Sequence, residues 1–152
     1  MIMIDTATEK DILEFAKNIR HMDAKEVKIM SGKPFAEHIG YLLKHLKEVM
    51  TIKCDGVLLG IGGWYQERLD WGLYSEGAVG WLLLTNAVED HKIEFLRWSK
   101  RIVKTILNEY PSITNTVYAK NELHVNYLDF LGASFWEDPL RNDIWHFIIE
   151  RS

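Results

Sequence analysis

The chain has 152 residues, of which 47% are hydrophobic and six are tryptophan, so extensive disorder is excluded and one domain with a proper core is expected. Its formal net charge of −4 argues against general coating of nucleic acid, although a local basic face is compatible with it. A single cysteine permits no internal disulfide, and no stretch resembles a signal peptide or a membrane span. We therefore expect a soluble, non-secreted protein.

The first third of the chain predicts one strand followed by three helices. Residues 1–5 are an apolar strand candidate, and Thr8 with Asp11 offers a cap for a helix that runs to about residue 20. A second helix, over residues 23–30, starts with Asp23 and Glu26 and is stopped by Ser31-Gly32. A third begins near residue 34, because apolar residues recur at helical spacing as far as residue 49.

The remaining elements alternate between strands and helices. The segment MTIKCDGVLLGIGGW predicts a hairpin, because Asp55-Gly56 suits a turn whose central residues both have positive φ. A loop or ragged hairpin is expected over 65–77, a strand over 78–84, a helix over about 89–110 and a strand over 113–119. A short helix over 122–131, closed by Gly132, precedes a hairpin of residues 135–138 and 144–150. This order predicts a mixed α/β fold with a β-α-β crossover at about 78–120.

The helix predicted over residues 89–110 is amphipathic. Its buried stripe is Phe95, Trp98, Ile102, Val103, Ile106 and Tyr110, and its opposite face is basic, with Arg97, Lys100, Arg101 and Lys104. The basic face is interpreted either as a solvated surface or as a docking face for an acidic protein or for packaged DNA.

The junction before this helix, Thr85-Asn86-Ala87-Val88-Glu89-Asp90, has the shape of a phosphate site without its glycines. Two acids stand there, and each unscreened carboxylate would oppose a phosphate ligand by about 1 kcal/mol or more. Asn86 and Glu89 instead predict a capping box, in which side chains satisfy the first N–H groups of the helix.

The last predicted helix carries a family resemblance. The stretch NELHVNYLDFLGASF resembles the final helix of the GCN5-related N-acetyltransferase (GNAT) family, whose usual form is Asn followed by a helix that ends in Tyr-x-x-Leu-Gly-Phe. The longer stretch EFLRWSKRIVKTILNEYPSITNTVYAKNELHVNYLDFLGASF resembles the GNAT-like internal virion protein A of short-tailed phages. The resemblance implies a single GNAT-like domain over residues 1–152, with a central mixed, mostly antiparallel sheet flanked by helices.

An active GNAT enzyme would need three features. The turn after the fourth strand should be glycine-rich, to bind the pyrophosphate of acetyl-CoA, and this turn has no glycine. A tyrosine four residues before the helix-ending glycine should protonate the thiolate, but that position is Leu128 and Tyr127 precedes it. Glu67, Asp70 and Glu76 are all available as a general base, and nothing in the sequence distinguishes them.

The resemblance therefore implies a phage-encoded GNAT-like protein that acts in virion assembly or genome delivery without acetyltransferase activity and without a cofactor. Its expected partners are other virion proteins, bound through the 65–77 loop and the 89–110 helix, in the host cytoplasm during infection and in the virion. Trp64, Tyr65, Trp71 and Tyr74 cluster around this loop, a pattern that is interpreted either as an interface or as plain packing at the sheet edge.

Two alternatives stay open, a small-molecule or acyl-CoA-binding module without turnover and an active N-acyltransferase that uses acetyl-CoA. In the enzyme, Tyr127 or His124 would be the acid. The cofactor would lie against Leu84, Thr85, Val88, Glu89, Asp90 and Asn121.

Three other patterns favour structural roles. Gly60-Ile61-Gly62-Gly63 follows a strand without opening a helix, which indicates a bulge or a close backbone approach rather than a phosphate loop. His38 and His45 share a helical face but lack a third ligand, so no metal site is expected. Cys54 lies in a strand beside a turn, an improbable place for a nucleophile.

Overall fold

The computed structural model describes residues 1–69 and 72–152. The strands are β1 (Ile2–Thr6), β2 (Met50–Cys54), β3 (Val57–Tyr65), β4 (Ala78–Leu84), β5 (Ser112–Tyr118), β6 (Ser134–Glu137) and β7 (Ile144–Glu150). The α-helices are α1 (Glu9–Asn18), α2 (His21–Ser31), α3 (Phe35–Lys44), α4 (Lys92–Glu109) and α5 (Glu122–Phe130), and two 3₁₀ helices span Leu46–Glu48 and Asn86–His91. No helix within the described ranges is long and apolar enough to cross a membrane.

Hydrogen bonds place the strands in the order β1-β2-β3-β4-β5-β7-β6. Among the strand pairs with a described register, β4 and β5 are parallel and the others are antiparallel. A parallel pair needs a long crossover, and α4 provides it between β4 and β5. The predicted mixed, mostly antiparallel sheet with a β-α-β crossover is confirmed.

The chain packs as two compact units, one of Met1–Gly63 with Leu82–Trp98 and the other of Trp64–Trp81 with Ser99–Ser152. Both β4 and α4 contribute residues to each unit. The single domain expected over residues 1–152 stays a prediction.

In the first unit, α1 begins with the predicted cap. The Thr8 N–H donates to Asp11 Oδ2 (2.9 Å) and the Asp11 N–H donates to Thr8 Oγ1 (3.2 Å), so the two residues form a capping box. Lys53 Nζ lies 3.0 Å from Asp11 Oδ1. Burial acts to raise the pKa of Asp11, but the bonds from Thr8 and Lys53 outweigh it and the pKa is lowered.

The next two helices differ from their predicted bounds. Helix α2 begins at His21 rather than at Asp23, and Gly32 ends it in the left-handed conformation (φ 70°) as predicted. Helix α3 ends at Lys44, before the predicted apolar stripe is complete, because His45 leaves helical geometry (ψ 36°) and its Nδ1 donates to the Tyr41 carbonyl (2.8 Å).

The β2–β3 hairpin is confirmed in its turn and in its glycines. Asp55 and Gly56 both have positive φ (50° and 84°), as the predicted turn requires. Ile52 pairs with Gly60 and Lys53 with Leu58, so Leu59 is the extra residue of a bulge. A Cβ on Gly60 would lie 2.5 Å from the Leu83 carbonyl oxygen, which confirms a close backbone approach.

The second unit has its own apolar core. Its buried members come from β4, α4, β5, α5 and β7, namely Ala78, Ile106, Ile113, Val117, Leu128, Phe147 and Ile149. Helix α5 ends as predicted, with Gly132 at φ 92°, and the Gly132 and Ala133 N–H groups donate to the Asp129 and Leu128 carbonyls in a Schellman motif. This motif sets the direction in which the chain enters β6.

Candidate functional site

The end of β4, where the resemblance places a cofactor, is bonded within the first unit. The Leu84 N–H donates to Asp23 Oδ2 (2.7 Å), and the Leu84 carbonyl accepts from the Arg20 N–H (2.9 Å). The Thr85 N–H donates to the Leu59 carbonyl (2.8 Å), and Thr85 Oγ1 donates to the Leu58 carbonyl (2.7 Å). Thr85 is fully buried, so both its backbone N–H and its hydroxyl hold neighbouring backbone in place.

Asp23 secures this strand end, a structural role that the sequence reasoning missed. Its side chain is only 1% exposed, and its second oxygen, Oδ1, accepts from Arg20 Nη1 (2.6 Å). One carboxylate thus neutralises a cation and satisfies the backbone of a strand 61 residues away. The Arg20–Asp23 spacing of three residues is the sequence signal that could have indicated the ion pair.

The turn after β4 is a 3₁₀ helix, so the predicted capping box at its start is wrong. The N-cap of this segment is Thr85, which makes no side-chain capping bond, and α4 begins only at Lys92. A 3₁₀ segment is closed by i to i+3 backbone bonds, of which the Val88 N–H to the Thr85 carbonyl is one. Glu89 pairs instead with Lys92 (2.9 Å).

The other predicted cofactor residues of the turn differ in exposure. Val88 is buried at 4% exposure, and its N–H lies 3.3 Å from the Thr85 carbonyl, whereas Glu89 and Asp90 are exposed. Two exposed carboxylates therefore stand at the start of α4, where a phosphate ligand would need positive charge.

In the second unit, β4 and β5 stay paired over only two residue pairs, Ala78 with Ile113 and Val79 with Thr114. Beyond these two pairs, the Asn115 side chain takes the place of a backbone hydrogen bond between the strands. Its Nδ2 donates to the Gly80 carbonyl (2.9 Å), and its Oδ1 accepts from the Thr116 N–H (2.7 Å). Backbone groups that strand separation would leave for a ligand are thus satisfied by one amide.

Helix α5 carries the two predicted acids. Tyr127 donates its hydroxyl to Ser99 Oγ (2.7 Å), and burial raises the pKa of Tyr127 to about 12. His124 is half-buried, with its ring centroid 6.3 Å from that of Tyr127. Asn121 is fully buried at the N-cap position, where its carbonyl accepts from the Val125 N–H (3.0 Å). The structure brings these three residues onto one short helix.

The structure describes two of the three candidate bases. Glu67 and Glu76 are exposed, and Asp70 lies outside the described residues. The loop that carries them is a ragged hairpin, as predicted, in which the Leu69 N–H donates to the Leu73 carbonyl (2.7 Å) and the Ser75 N–H donates to the Glu67 carbonyl (2.9 Å).

The contacts of Cys54, His38 and His45 favour structural roles for these residues. The buried Cys54 thiol donates to Glu94 Oε2 (3.1 Å), and this bond together with burial raises the pKa of the thiol, which opposes a thiolate nucleophile. Ligand atoms of Cys54, Asp55 and Glu94 lie within 4.8 Å of one another. His38 and His45 both stack with the ring of Tyr41 between them, at centroid distances of 6.4 and 4.1 Å.

The two predicted docking surfaces are exposed. In the loop, Tyr65, Leu73 and Tyr74 are 54%, 63% and 61% exposed, while Trp64 packs on the core of the second unit and Trp71 lies outside the described residues. In the predicted stripe of α4, Phe95 and Ile106 are buried and the other members are half-buried. The four cations of the opposite face are all exposed, namely Arg97, Lys100, Arg101 and Lys104.

Solved structures similar to this chain are acetyltransferases. Aminoglycoside acetyltransferase AAC(6′)-Ib, in complex with ribostamycin and coenzyme A, has a TM-score of 0.68 at 14% identity, over 99% of this chain and 93% of its own. Ribosomal-protein-alanine N-acetyltransferase from Brucella melitensis has a TM-score of 0.61 at 9% identity, over 98% and 99%. The GNAT domain of S. lividans PAT has a TM-score of 0.61 at 10% identity, over 99% and 89%. At these identities the likeness establishes the GNAT fold alone, which confirms the predicted fold.

By sequence, no curated protein matches the chain. One family model does, over residues 48–139, which is more than half of the chain, and its description is "Bacteriophage T7, probable scaffold protein Gp13". The chain belongs to this phage protein family.

Proposed function

We propose that this chain acts in phage particle assembly or genome delivery as a protein-binding module, without acetyltransferase activity and without a bound cofactor. The family description, a probable scaffold protein, supports the assembly role. In this proposal the protein works in the host cytoplasm during infection and in the virion, where it contacts other virion proteins. The GNAT fold does not by itself determine the function, which depends on the residues at its sites and surfaces.

The observation that carries the non-catalytic role is the bond from the Leu84 N–H to the buried Asp23 carboxylate at 2.7 Å. A cofactor at this strand end would have to displace a charged acceptor that also neutralises Arg20. Of the two exposed acids that follow, Glu89 is paired with Lys92, and Asp90 would repel the pyrophosphate of a cofactor. In the second unit, Asn115 satisfies the backbone groups at the separation of β4 and β5.

Acetyl-CoA titration by calorimetry tests this role, with aminoglycoside acetyltransferase AAC(6′)-Ib as the positive control. We expect no binding heat and no thermal stabilisation of this chain at millimolar acetyl-CoA. A ligand at one hundred times its dissociation constant would stabilise the chain by about 2.7 kcal/mol. A saturating isotherm would overturn the cofactor-free role and favour either the acyl-CoA-binding module or the N-acyltransferase with Tyr127 or His124 as acid; acetyl transfer to an amine would then overturn the non-catalytic role as well.

The assembly role rests on the exposed loop of residues 65–77. In the described part of this loop, backbone hydrogen bonds join Leu69 to Leu73 and Ser75 to Glu67, and the side chains of Tyr65 and Tyr74 are more than half exposed. Exposed tyrosines are typical of protein interfaces.

Complementation tests the assembly role directly. A phage that lacks the gene is grown on a host that supplies the chain, and infectious particles are counted. We expect the wild type to restore infectivity and the Tyr65→Ser, Tyr74→Ser variant to fail. Tyr41→Ser, which alters an exposed tyrosine of α3, is the matched control and should restore infectivity. Full infectivity without the gene would refute the assembly role.

A further inference from the structure

Three cations stand without an acidic partner on two successive turns of α4. Lys100, Arg101 and Lys104 are exposed, and none of them forms an ion pair with an acid in the part of the chain that the structure describes. Other exposed cations, such as Lys28, Lys44 and Lys47, also have no ion pair with a described acid, but they do not lie together on one helix. The three cations therefore form an unneutralised patch on a chain whose net charge is −4.

This arrangement opposes helix stability. Lys100 and Lys104 are four residues apart, Arg101 and Lys104 are three apart, and like charges at these spacings repel each other. No acid occupies a position three or four residues from any of the three, so no carboxylate on the same helix offsets the repulsion. Such a cost is offset when an anionic partner binds.

An exposed aromatic ring lies beside the patch. Phe130, the last residue of α5, is 43% exposed, and Lys100 Nζ lies 4.5 Å from its ring centroid. A ring next to cations suits a protein partner that brings both an apolar side chain and carboxylates, because aromatic and arginine side chains are enriched at protein interfaces. A DNA duplex contacted through its phosphates makes no use of an exposed phenyl group.

Charge range also favours a short acidic segment over nucleic acid. A duplex carries one charge per about 1.7 Å along its axis, so a long polyanion also meets the field of the acidic remainder of the chain. A short segment feels mainly the charges within a Debye length of about 8 Å. The rise of α4 sets Lys100 and Lys104 about 6 Å apart along the axis, which is the spacing of carboxylates four residues apart on a second helix.

We propose that Lys100, Arg101, Lys104 and Phe130 form a docking site for an acidic helical segment of another protein, with carboxylates four residues apart and one apolar side chain that packs on Phe130. This site deepens the assembly role proposed above, because it names the chemistry of a partner for α4, and it rests on that role for its biological meaning.

Fluorescence anisotropy with designed probes tests the site. The first probe is a labelled alanine-based helix that carries Glu at four-residue spacing and one Leu. In the second probe every Glu is replaced by Gln, and the third is a short DNA duplex. We expect the Glu peptide to bind about tenfold more tightly than the Gln peptide at low salt, with affinity that falls as salt is added.

The variants separate a local site from a general charge effect. Lys100→Gln, Arg101→Gln, Lys104→Gln should weaken the Glu peptide about tenfold or more, whereas the matched control Lys28→Gln, Lys44→Gln, Lys47→Gln should change its affinity less than about twofold. All six positions are exposed, and both triples change the net charge equally. Phe130→Ala should weaken binding without changing its salt dependence.

Specific outcomes would overturn the site. They are equal binding of the two peptides, tighter binding of DNA than of the Glu peptide, or equal losses in the two triple variants. Circular dichroism confirms that each variant is folded, and relief of repulsion should leave the α4 triple at least as stable as the wild type. If gene deletion leaves infectivity unchanged, the assembly role fails while the peptide result stands. If deletion abolishes infectivity but the α4 triple binds the Glu peptide normally, only the docking site fails.

Discussion

Asp23→Ala removes the buried carboxylate that joins α2 to the end of β4 in the first unit. Two groups lose their acceptor together, the Leu84 N–H at 2.7 Å and Arg20 Nη1 at 2.6 Å. The Arg20 side chain is only 14% exposed, so water replaces the lost bond poorly. Removal of one partner of a buried pair costs about 3–5 kcal/mol, and we expect the free energy of unfolding to fall by about that amount.

Urea denaturation followed by tryptophan fluorescence and circular dichroism measures this change. Asp23→Asn keeps an acceptor for Leu84 but points N–H groups at Arg20, so its loss should be smaller than that of the alanine variant and still more than about 1 kcal/mol. Lys28→Ala, an exposed change on the same helix, should stay within about 0.5 kcal/mol of the wild type. A cost below about 1 kcal/mol for Asp23→Ala would refute the idea that this carboxylate secures the strand end.

Three further predictions use single positions. Gly60→Ala should destabilise the chain by about 1–3 kcal/mol in urea denaturation, because the new Cβ would lie 2.5 Å from the Leu83 carbonyl oxygen. Gly40→Ala is the control, since it has open space in α3 and should stabilise the chain by about 0.5–1 kcal/mol. Equal effects of the two substitutions would contradict the close approach at Gly60. Asp11→Asn should lower the free energy of unfolding by about 1–2 kcal/mol at pH 7. Because the pKa of Asp11 is lowered in the folded chain, the wild type should lose its greater stability as the pH falls below the unfolded pKa of 3.8. A wild type that stays more stable than the variant in acid would contradict this linkage. The pKa of Tyr127 is about 12 in the folded chain and 10 in the unfolded chain, so the free energy of unfolding should fall by about 1.4 kcal/mol per pH unit between pH 10 and pH 12. Tyr127→Phe should remove that dependence on pH. An identical alkaline slope in both proteins would show that Tyr127 ionises normally.

Local signals in the sequence predicted most of the fold. Asp55-Gly56 predicted the hairpin, and Gly132 predicted the end of α5. Each of these positions has positive φ, a conformation that glycine adopts readily and that most other residues avoid. The stripe of α4 predicted its buried face, since an 18-residue helix displays its period clearly. These features depend on residues close together in the chain, so pattern reasoning reaches them.

The candidate site was less predictable because its bonds join distant residues. Asp23 was interpreted as the start of a helix, since a carboxylate early in a helical pattern usually caps it, but its partner is Leu84. The reach of Asn115 to the Gly80 carbonyl has no local signature at all. At Asn86 and Glu89 the spacing satisfied the capping rule, but the chain forms a 3₁₀ helix there, and the α-helix that the rule requires begins six residues later.

The Asn115 amide binds backbone groups at the β4–β5 junction as a bound ligand would, but it is part of the chain itself. An enzyme whose strands separate around a cofactor gains stability there only in proportion to the cofactor in its surroundings. A tethered amide is present at a high and constant effective concentration, whatever metabolites the cell contains. The β4–β5 junction of this chain should therefore keep its shape whatever the concentration of acyl-CoA in its surroundings.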